Sequence, residues 1–484
     1  MLSSEIDEAI NVQGYAKVIV TLAPPVVAEA VAAGGPLVSM RAARTPTHTA
    51  AAGLENHFVI PAETQAESLA VTARSSASKD FRRSQSAADR RMRVYPHLGL
   101  AIGYVNRVGA SALDRDPAVS RVEKAPELSL IRPVATRAVT PKAAKTVSWG
   151  IVTLEVDKLW AAGFDGKGVL VGHLDTGVDG KHPALKGAIA AFAEFDMAGD
   201  EVVGALPYDS GEHGTHTAGT IAARPGAKGS FGVAPGAQLA SALVIEGGQV
   251  IDRILSGMDW IIARGCRILS MSLGLRGYTP AFEQIINALR AAGVLPIIAV
   301  GNEGPLTSRS PGNYSTVLSV GAMDIAGAVA SFSSSQTFSR PDAPLVPDLV
   351  APGVAVLSCI PGRAYAEMDG SSMATPHVAG LAAVLLQARP QATVDELEAA
   401  IIASCKLGKM KAPRANRGLP NGPRAYQHLT GLPLPKAAAT ASAEVARPRR
   451  RKPLQNPAMP VEDVTAARKA ATRQPAKKAR PRPA

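Results

Sequence analysis

The sequence predicts an α/β protein built on a mostly parallel central sheet with helices on both faces. Three observations predict it. Residues 147–432 alternate short apolar runs with helical stretches. The apolar runs are near-continuous, as in parallel strands buried on both faces. Polar residues of chemical interest stand where such runs end, the place where open parallel sheets gather their functional groups.

Taken in order, residues 1–131 read as a small α+β domain. "AKVIVTL" and "MRVYPHLGLAIGYVN" are strand-like, and "GASALDRDPAVSRVE" reads as a short helix, a turn and a strand. Between them, residues 62–91 are polar, Ala- and Ser-rich, with a weak helical pattern. Residues 132–146 contain Pro, Lys and Arg with little to bury, and read as a linker. In residues 147–432 the strands are "GVLVGHLDTG", "AQLASALVI", "CRILSMSLG", "LPIIAVGNEG" and "VLSVGAM". Helices are predicted for "VIDRILSGMDWIIARG" and "PAFEQIINALRAAG". Residues 433–484 are Ala/Pro/Lys/Arg-rich and read as a disordered tail.

Composition narrows the function. Of 484 residues, 46% are hydrophobic and 19% charged, the balance of a globular chain. Aromatics make up 4%, which argues against nucleic-acid readers that stack bases on aromatic platforms. The net charge is +12, but residues 436–484 alone carry 13 Lys/Arg against 3 Asp/Glu. The basicity belongs to the tail, whose charge suits weak electrostatic contact with nucleic acid or an acidic surface. Cys266, Cys359 and Cys405 form no CxxC pair and read as free thiols. The start, "MLSSEIDEAINVQGYAK", lacks a basic, apolar leader, and no run is long enough to span a membrane. A cytoplasmic location is the resulting expectation.

"DGSSMATPHVAGL" places two serines at the mouth of a helix of small residues. A serine nucleophile needs a base, an orienting group for that base, and donors for the oxyanion. "SGEHGTHTAGTIAA" supplies His213 and His216, "HLDTGVDGKHP" supplies Asp175 after an apolar strand, and "IIAVGNEGP" supplies Asn302 after another. Each has an ordinary reading alone: a turn Asp, a structural His, a turn Asn, capping serines. Their joint occurrence at strand ends and helix starts of one α/β region favours chemistry.

These motifs, "DTGVDGKHP", "HGTHTAGT", "MSLG", "GNEG" and "GSSMATPHVAG", resemble those of the subtilisin-like serine proteases, the subtilases, as do "SFSSS" and "PDLVAPG". The resemblance covers roughly residues 147–432. It implies a serine endopeptidase with a subtilisin-like fold acting on peptide or protein substrates. Asp175 would orient His213 as base, His216 would not be the base, and Ser372 would be the nucleophile. Asn302 and the Ser372 backbone N–H would hold the oxyanion. Ser272, Leu273 and Gly274 would pair with extended substrate, and Ala299, Val300 and Gly301 would form the facing wall of the pocket. "YPHLGLAIGYVN" with "LDRDPAVSRVE" resembles the family's propeptides, which implies a self-processing zymogen whose own propeptide occupies the cleft. Processing is then expected between about residues 130 and 145.

Two departures matter. Many subtilases bind calcium in the loop after the histidine helix. Here that loop, "ARPGAKGSFGVAP", offers Arg224 and Lys228 but no Asp, Glu or Asn. No cofactor is expected to be required, and no metal ligands are assigned. Arg309 stands where the family floors its specificity pocket, and is expected to point into solvent. Two rival chemistries are weaker. A single DTG would need a dimer to make an aspartic protease. The HxxH of His213 and His216 has no evident third metal ligand.

Overall fold

A computed structural model of the chain describes residues 3–23, 53–61, 90–140, 146–226, 228–245 and 250–436. The basic tail and most of the segment with the weak helical pattern lie outside these residues. Residues 1–441 cluster as one compact unit.

Helix α1 (Ser4–Gln13) precedes β1 (Ala16–Leu22). Strands β2 (Met92–Tyr95) and β3 (Leu100–Val105) make a hairpin, followed by α2 (Arg107–Leu113) and β4 (Val119–Lys124). They form an antiparallel sheet in the order β2-β3-β1-β4. This is the α+β domain the sequence predicts. The unforeseen element is α1, which buries only Ile6 and Ile10 and so leaves a weak amphipathic trace.

The segment read as a linker is not one throughout. It begins just after β5 (Ser129–Leu130) and contains β6 (Ala135–Val139). Composition hides β6 because none of its side chains is buried. It is held by backbone pairing and by the ion pair of Arg137, and neither leaves a hydrophobic signature.

Beyond it come α3 (Trp149–Leu154), α4 (Val156–Ala161), β7 (Leu170–Asp175), β8 (Ile189–Glu194), α5 (His213–Ala222), β9 (Gln238–Leu243) and α6 (Ile251–Ala263). Then follow β10 (Ile268–Met271), β11 (Leu273–Arg276), α7 (Glu283–Ala291), β12 (Leu295–Ala299), β13 (Arg309–Ser310) and β14 (Leu318–Met323). The chain continues through β15 (Gln336–Thr337), β16 (Leu345–Val346), β17 (Leu349–Pro352), β18 (Val356–Ile360) and β19 (Ala364–Asp369). It ends in α8 (Ser371–Ala388), α9 (Val394–Ser404), α10 (Ala412–Ala415) and α11 (Gly422–Thr430).

Seven strands form one sheet, β17-β14-β12-β10-β7-β9-β8, and every neighbouring pair is parallel. Successive residues serve opposite faces. Ile268 and Ile297 join one core with α5, α8, α9 and α11, while Leu269 and Ile298 join another with α6 and α7. Each apolar pair therefore serves two cores, which explains the near-continuous hydrophobic runs. The predicted α/β fold holds. Ile19, Tyr95, Leu100 and Ile102 of the N-terminal sheet pack into the second core, against α6. Among the described residues no helix is long and apolar enough to cross a membrane. All three cysteines are free thiols.

Candidate active site

Strand β7 delivers Asp175 at its carboxyl end, almost wholly buried. Its Oδ1 lies 2.7 Å from His213 Nδ1 and accepts the Thr176 backbone N–H at 2.7 Å. Thr217 Oγ1 donates to Oδ2 at 3.1 Å. Burial alone would raise the Asp175 pKa. The attraction of His213 and its hydrogen bond outweigh burial, so the net shift is downward and the carboxylate stays ionised.

His213 is the first residue of α5. Close approach of this helix to the turn after β7 requires glycine, because a Cβ on Gly214 would lie 2.1 Å from the Gly177 carbonyl oxygen. Asp209 fixes the first turn. It accepts from the Thr215 backbone N–H at 2.6 Å, from the Thr215 hydroxyl at 2.6 Å and from the Thr176 hydroxyl at 2.7 Å. A carboxylate there also suits the positive end of the helix. His213 Nε2 is buried and has no hydrogen-bond partner among the described residues.

The other histidines are accounted for elsewhere. His216 Nε2 reaches the carbonyls of Val356 at 2.9 Å and Ala366 at 3.2 Å, and burial pushes its pKa down to about 3. It ties α5 to the β18–β19 hairpin. His377 Nδ1 bonds the Met373 carbonyl at 2.8 Å, and burial lowers its pKa to about 4. His213 Nδ1 and His216 Nε2 are each engaged with protein oxygens, while His213 Nε2 and His216 Nδ1 are buried without a partner among the described residues. Among the described residues no group of three His, Cys, Asp or Glu converges as a metal site.

Ser371 and Ser372 open α8, and both are buried. Pro376 has no N–H to offer the Ser372 carbonyl, so the turn that carries Ser372 lacks that helical bond. The Ser272 hydroxyl approaches this carbonyl at 3.5 Å. Asn302 follows β12, and its Oδ1 accepts from the Ser371 N–H and from the Ser371 hydroxyl, both at 2.8 Å. Its amide nitrogen is thereby aimed outward, and donates to the Arg132 carbonyl at 3.0 Å.

That contact shows what fills the cleft. Strand β5 pairs antiparallel with β11 in the register Leu130↔Leu273 and Ser129↔Gly274. The Ile131 N–H donates to the Ser272 carbonyl at 3.0 Å. The Ser372 hydroxyl donates to the Ile131 carbonyl at 2.7 Å. Ile131 is buried, whereas the side chain of Arg132 is exposed. Ala299 and Val300 are fully buried, and Gly301 leads from them to Asn302 with φ 119°. The solvent-facing expectation for Arg309 is corrected. Arg309 is buried, forms an ion pair with Glu303, and donates to Gly274 O at 3.0 Å and Ser129 Oγ at 3.1 Å. Its charge is neutralised because a carboxylate six residues earlier folds back onto it.

Sequence reasoning gave no role to Thr217, Asp209, Ser371 or His173. His173 lies two residues before Asp175 on β7 and is fully buried. It bonds Ser241 Oγ and Thr217 Oγ1, each at 2.9 Å. Only the polarity of His173 in a buried strand hinted at a partner.

A buried Asp–His pair at a strand end of a parallel sheet and a serine at a helix mouth are the groups that serine-type hydrolases use. Residues 166–426 match the Subtilase family, and the chain belongs to it. It is 37% identical over 281 residues to alkaline elastase YaB of Bacillus sp. (strain YaB), covering 58% of this chain and 67% of that protein. It is 35% identical over 268 residues to subtilisin DY of Bacillus licheniformis, covering 52% of this chain and 89% of the relative. With subtilisin E of Bacillus subtilis (strain 168) it shares 34% over 294 residues, covering 59% and 72%. The protein is a serine-type endopeptidase.

Proposed function

We propose that Asp175, His213 and Ser372 form the catalytic triad, that Asn302 and the Ser372 N–H hold the oxyanion, and that the chain is a zymogen that cuts itself between Ile131 and Arg132. The observation that carries this reading is the segment around Ile131 in the cleft. It pairs with β11 as extended substrate would, and the Ser372 hydroxyl touches the Ile131 carbonyl. His213 Nε2 has no hydrogen-bond partner among the described residues, and once the Ser372 hydroxyl turns to it from the Ile131 carbonyl it takes the Ser372 proton as Oγ bonds to the carbonyl carbon. It then gives that proton to the leaving nitrogen of Arg132. Water hydrolyses the acyl-enzyme by the same route in reverse. Ser272, Leu273 and Gly274 hold the residues before the cut, and Ala299, Val300 and Gly301 wall the pocket for Ile131. Residues 1–131 are then the propeptide, and a medium-sized apolar residue before the cut is the preferred class.

The Asn302 amide reaches the Arg132 carbonyl, one residue beyond Ile131. In this register the oxyanion donor and the nucleophile serve neighbouring carbonyls, which holds the intact strand as an inhibitor until it shifts. Cleavage after Arg132 is disfavoured by its exposed side chain and by the Pro133 leaving group.

The deciding measurement is intact mass of the purified full chain with fluorophosphonate labelling. The expected product starts at Arg132 and carries the label. Ser372→Ala stays full length and unlabelled; processing by that variant at the wild-type rate would sink the assignment. In subtilisin, the worked case for this chemistry, losing the nucleophile or base costs about 10⁶-fold in kcat.

No cofactor is needed in this scheme. The described residues of the loop after α5 do not fit a divalent cation. The Arg224 guanidinium already donates to the carbonyls of Pro235, Ala237 and Gly187, the latter two at 2.8 Å.

A further inference from the structure

The chain does not leave the cleft after Arg132. The Val134 N–H donates to the Asp369 carbonyl at 2.8 Å, and β6 then pairs antiparallel with β19 from Ala135↔Asp369 to Val139↔Tyr365. On its other edge β19 pairs with β18. Both hairpin strands are anchored to α5, through the His216 contacts with Val356 and Ala366. The edge that receives β6 is therefore a rigid rail that runs directly into Gly370, Ser371 and Ser372.

One side chain of the docked strand is held by charge. Arg137 forks onto the Asp369 carboxylate, with one bond of 3.1 Å and a second, shorter one, and lies 3.8 Å from Glu367. In register Arg137 stands opposite Glu367, with Asp369 on the diagonal, the two positions from which cross-strand side chains meet. Asp369 is fixed in turn by the Ala355 N–H at 2.7 Å. Counted from the Ile131–Arg132 bond, Arg137 is the sixth residue after the cut.

We propose that the edge of β19 now paired with β6 binds substrate downstream of the cut by strand addition once β6 leaves it, and that Glu367 and Asp369 form a subsite selecting Arg or Lys at the sixth position. This rests on the peptidase reading and on cleavage at Ile131. The preferred substrates are extended segments with an apolar residue before the cut and a cation six residues beyond it. The chain's own residues 132–139 are the first occupant.

The test uses self-processed protein carrying Arg137→Gln, which removes the resident cation from the subsite and leaves no charge to pair with a substituted position 367. Quenched fluorescent peptides share Ser-Leu-Ile before the cut. One set ends three residues after it, and the other extends past the sixth position with Arg, Gln or Glu there. The Arg peptide is expected to exceed the Gln peptide by about 3- to 10-fold in kcat/KM, with Glu lowest, the range for a partly exposed forked ion pair. Adding Glu367→Lys is expected to reverse the Arg and Glu ranking. Equal rates for the three long peptides, or a ranking that Glu367→Lys does not move, would overturn the subsite. Loss of turnover on the short peptide would instead count against the peptidase reading.

Discussion

At the scale of single residues, Ser371 has more to do than its position before the proposed nucleophile suggests. Both its hydroxyl and its N–H bond Asn302 Oδ1, and the Gly301 N–H donates back to its hydroxyl at 3.3 Å. An amide held at its oxygen has a fixed nitrogen, and a fixed donor needs no reorganisation when the oxyanion forms. Ser371→Ala leaves only the backbone contact. It is expected to lower kcat about tenfold with little change in KM, less than the 10²–10³-fold cost of removing an oxyanion donor outright. Ser371→Thr keeps the hydroxyl and should retain most of the rate; equal losses in both variants would show that volume, not the hydrogen bond, matters. The candidate triad itself was legible because Asp175, His213 and Ser372 sit inside long motifs at strand ends and helix mouths. Ser371, Thr217, Asp209 and His173 were not. Their partners lie on other elements, and a common polar residue carries no mark of what folding will place beside it.

At the scale of elements, legibility followed burial. Strands β7, β9, β10, β12 and β14 are almost entirely buried and could be read from their apolar runs. Strand β6 shows the converse, since a strand with no buried side chain leaves no apolar run to read. The loop after α5 is a middle case. Its lack of acidic residues was visible, but the use of Arg224 was not. Three carbonyls converge on one guanidinium, so a side-chain cation stands where oxygen ligands gather. Arg224→Ala would leave those carbonyls short of a donor. It is expected to destabilise by about 2 kcal/mol, the scale of charged hydrogen bonds lost in a part-buried site. Thermal unfolding of the parent should not respond to chelator or added Ca²⁺. A drop in midpoint on chelation would contradict the proposal that the fold needs no metal.

At the scale of the whole molecule, the N-terminal domain is held by charge as well as by its apolar face. Arg93 donates to Asp200 at 2.7 Å, Lys17 pairs with Asp252, and His97 Nδ1 lies 3.0 Å from Asp259 while its backbone N–H donates to the same carboxylate at 2.8 Å. Tyr95 adds a neutral bond to the Asp252 carbonyl at 3.0 Å. The hydrogen bond to Asp259 raises the His97 pKa above its ordinary 6.5, against the opposing effect of burial. A group whose docked pKa is raised contributes fully below its free value and loses that contribution as pH rises through the docked one. Asp200 behaves oppositely. Burial raises its pKa, but Arg93 and Arg90 lower it further, to a net value below 3.8. Its contribution is complete above the free value and fades as pH falls through the docked one. Docking should therefore be strongest between about pH 4 and pH 6.5 and weaken on the alkaline side. After the proposed self-cleavage, gel filtration should show more of the N-terminal fragment retained at about pH 6 than at about pH 8. His97→Gln keeps a hydrogen bond to Asp259 but cannot take a charge, so it should flatten that difference by lowering retention at the acidic end. If His97→Gln retains the fragment as the parent does at both pH values, release is governed by the apolar face and the strand in the cleft. Alkaline conditions would then not by themselves speed the freeing of the cleft.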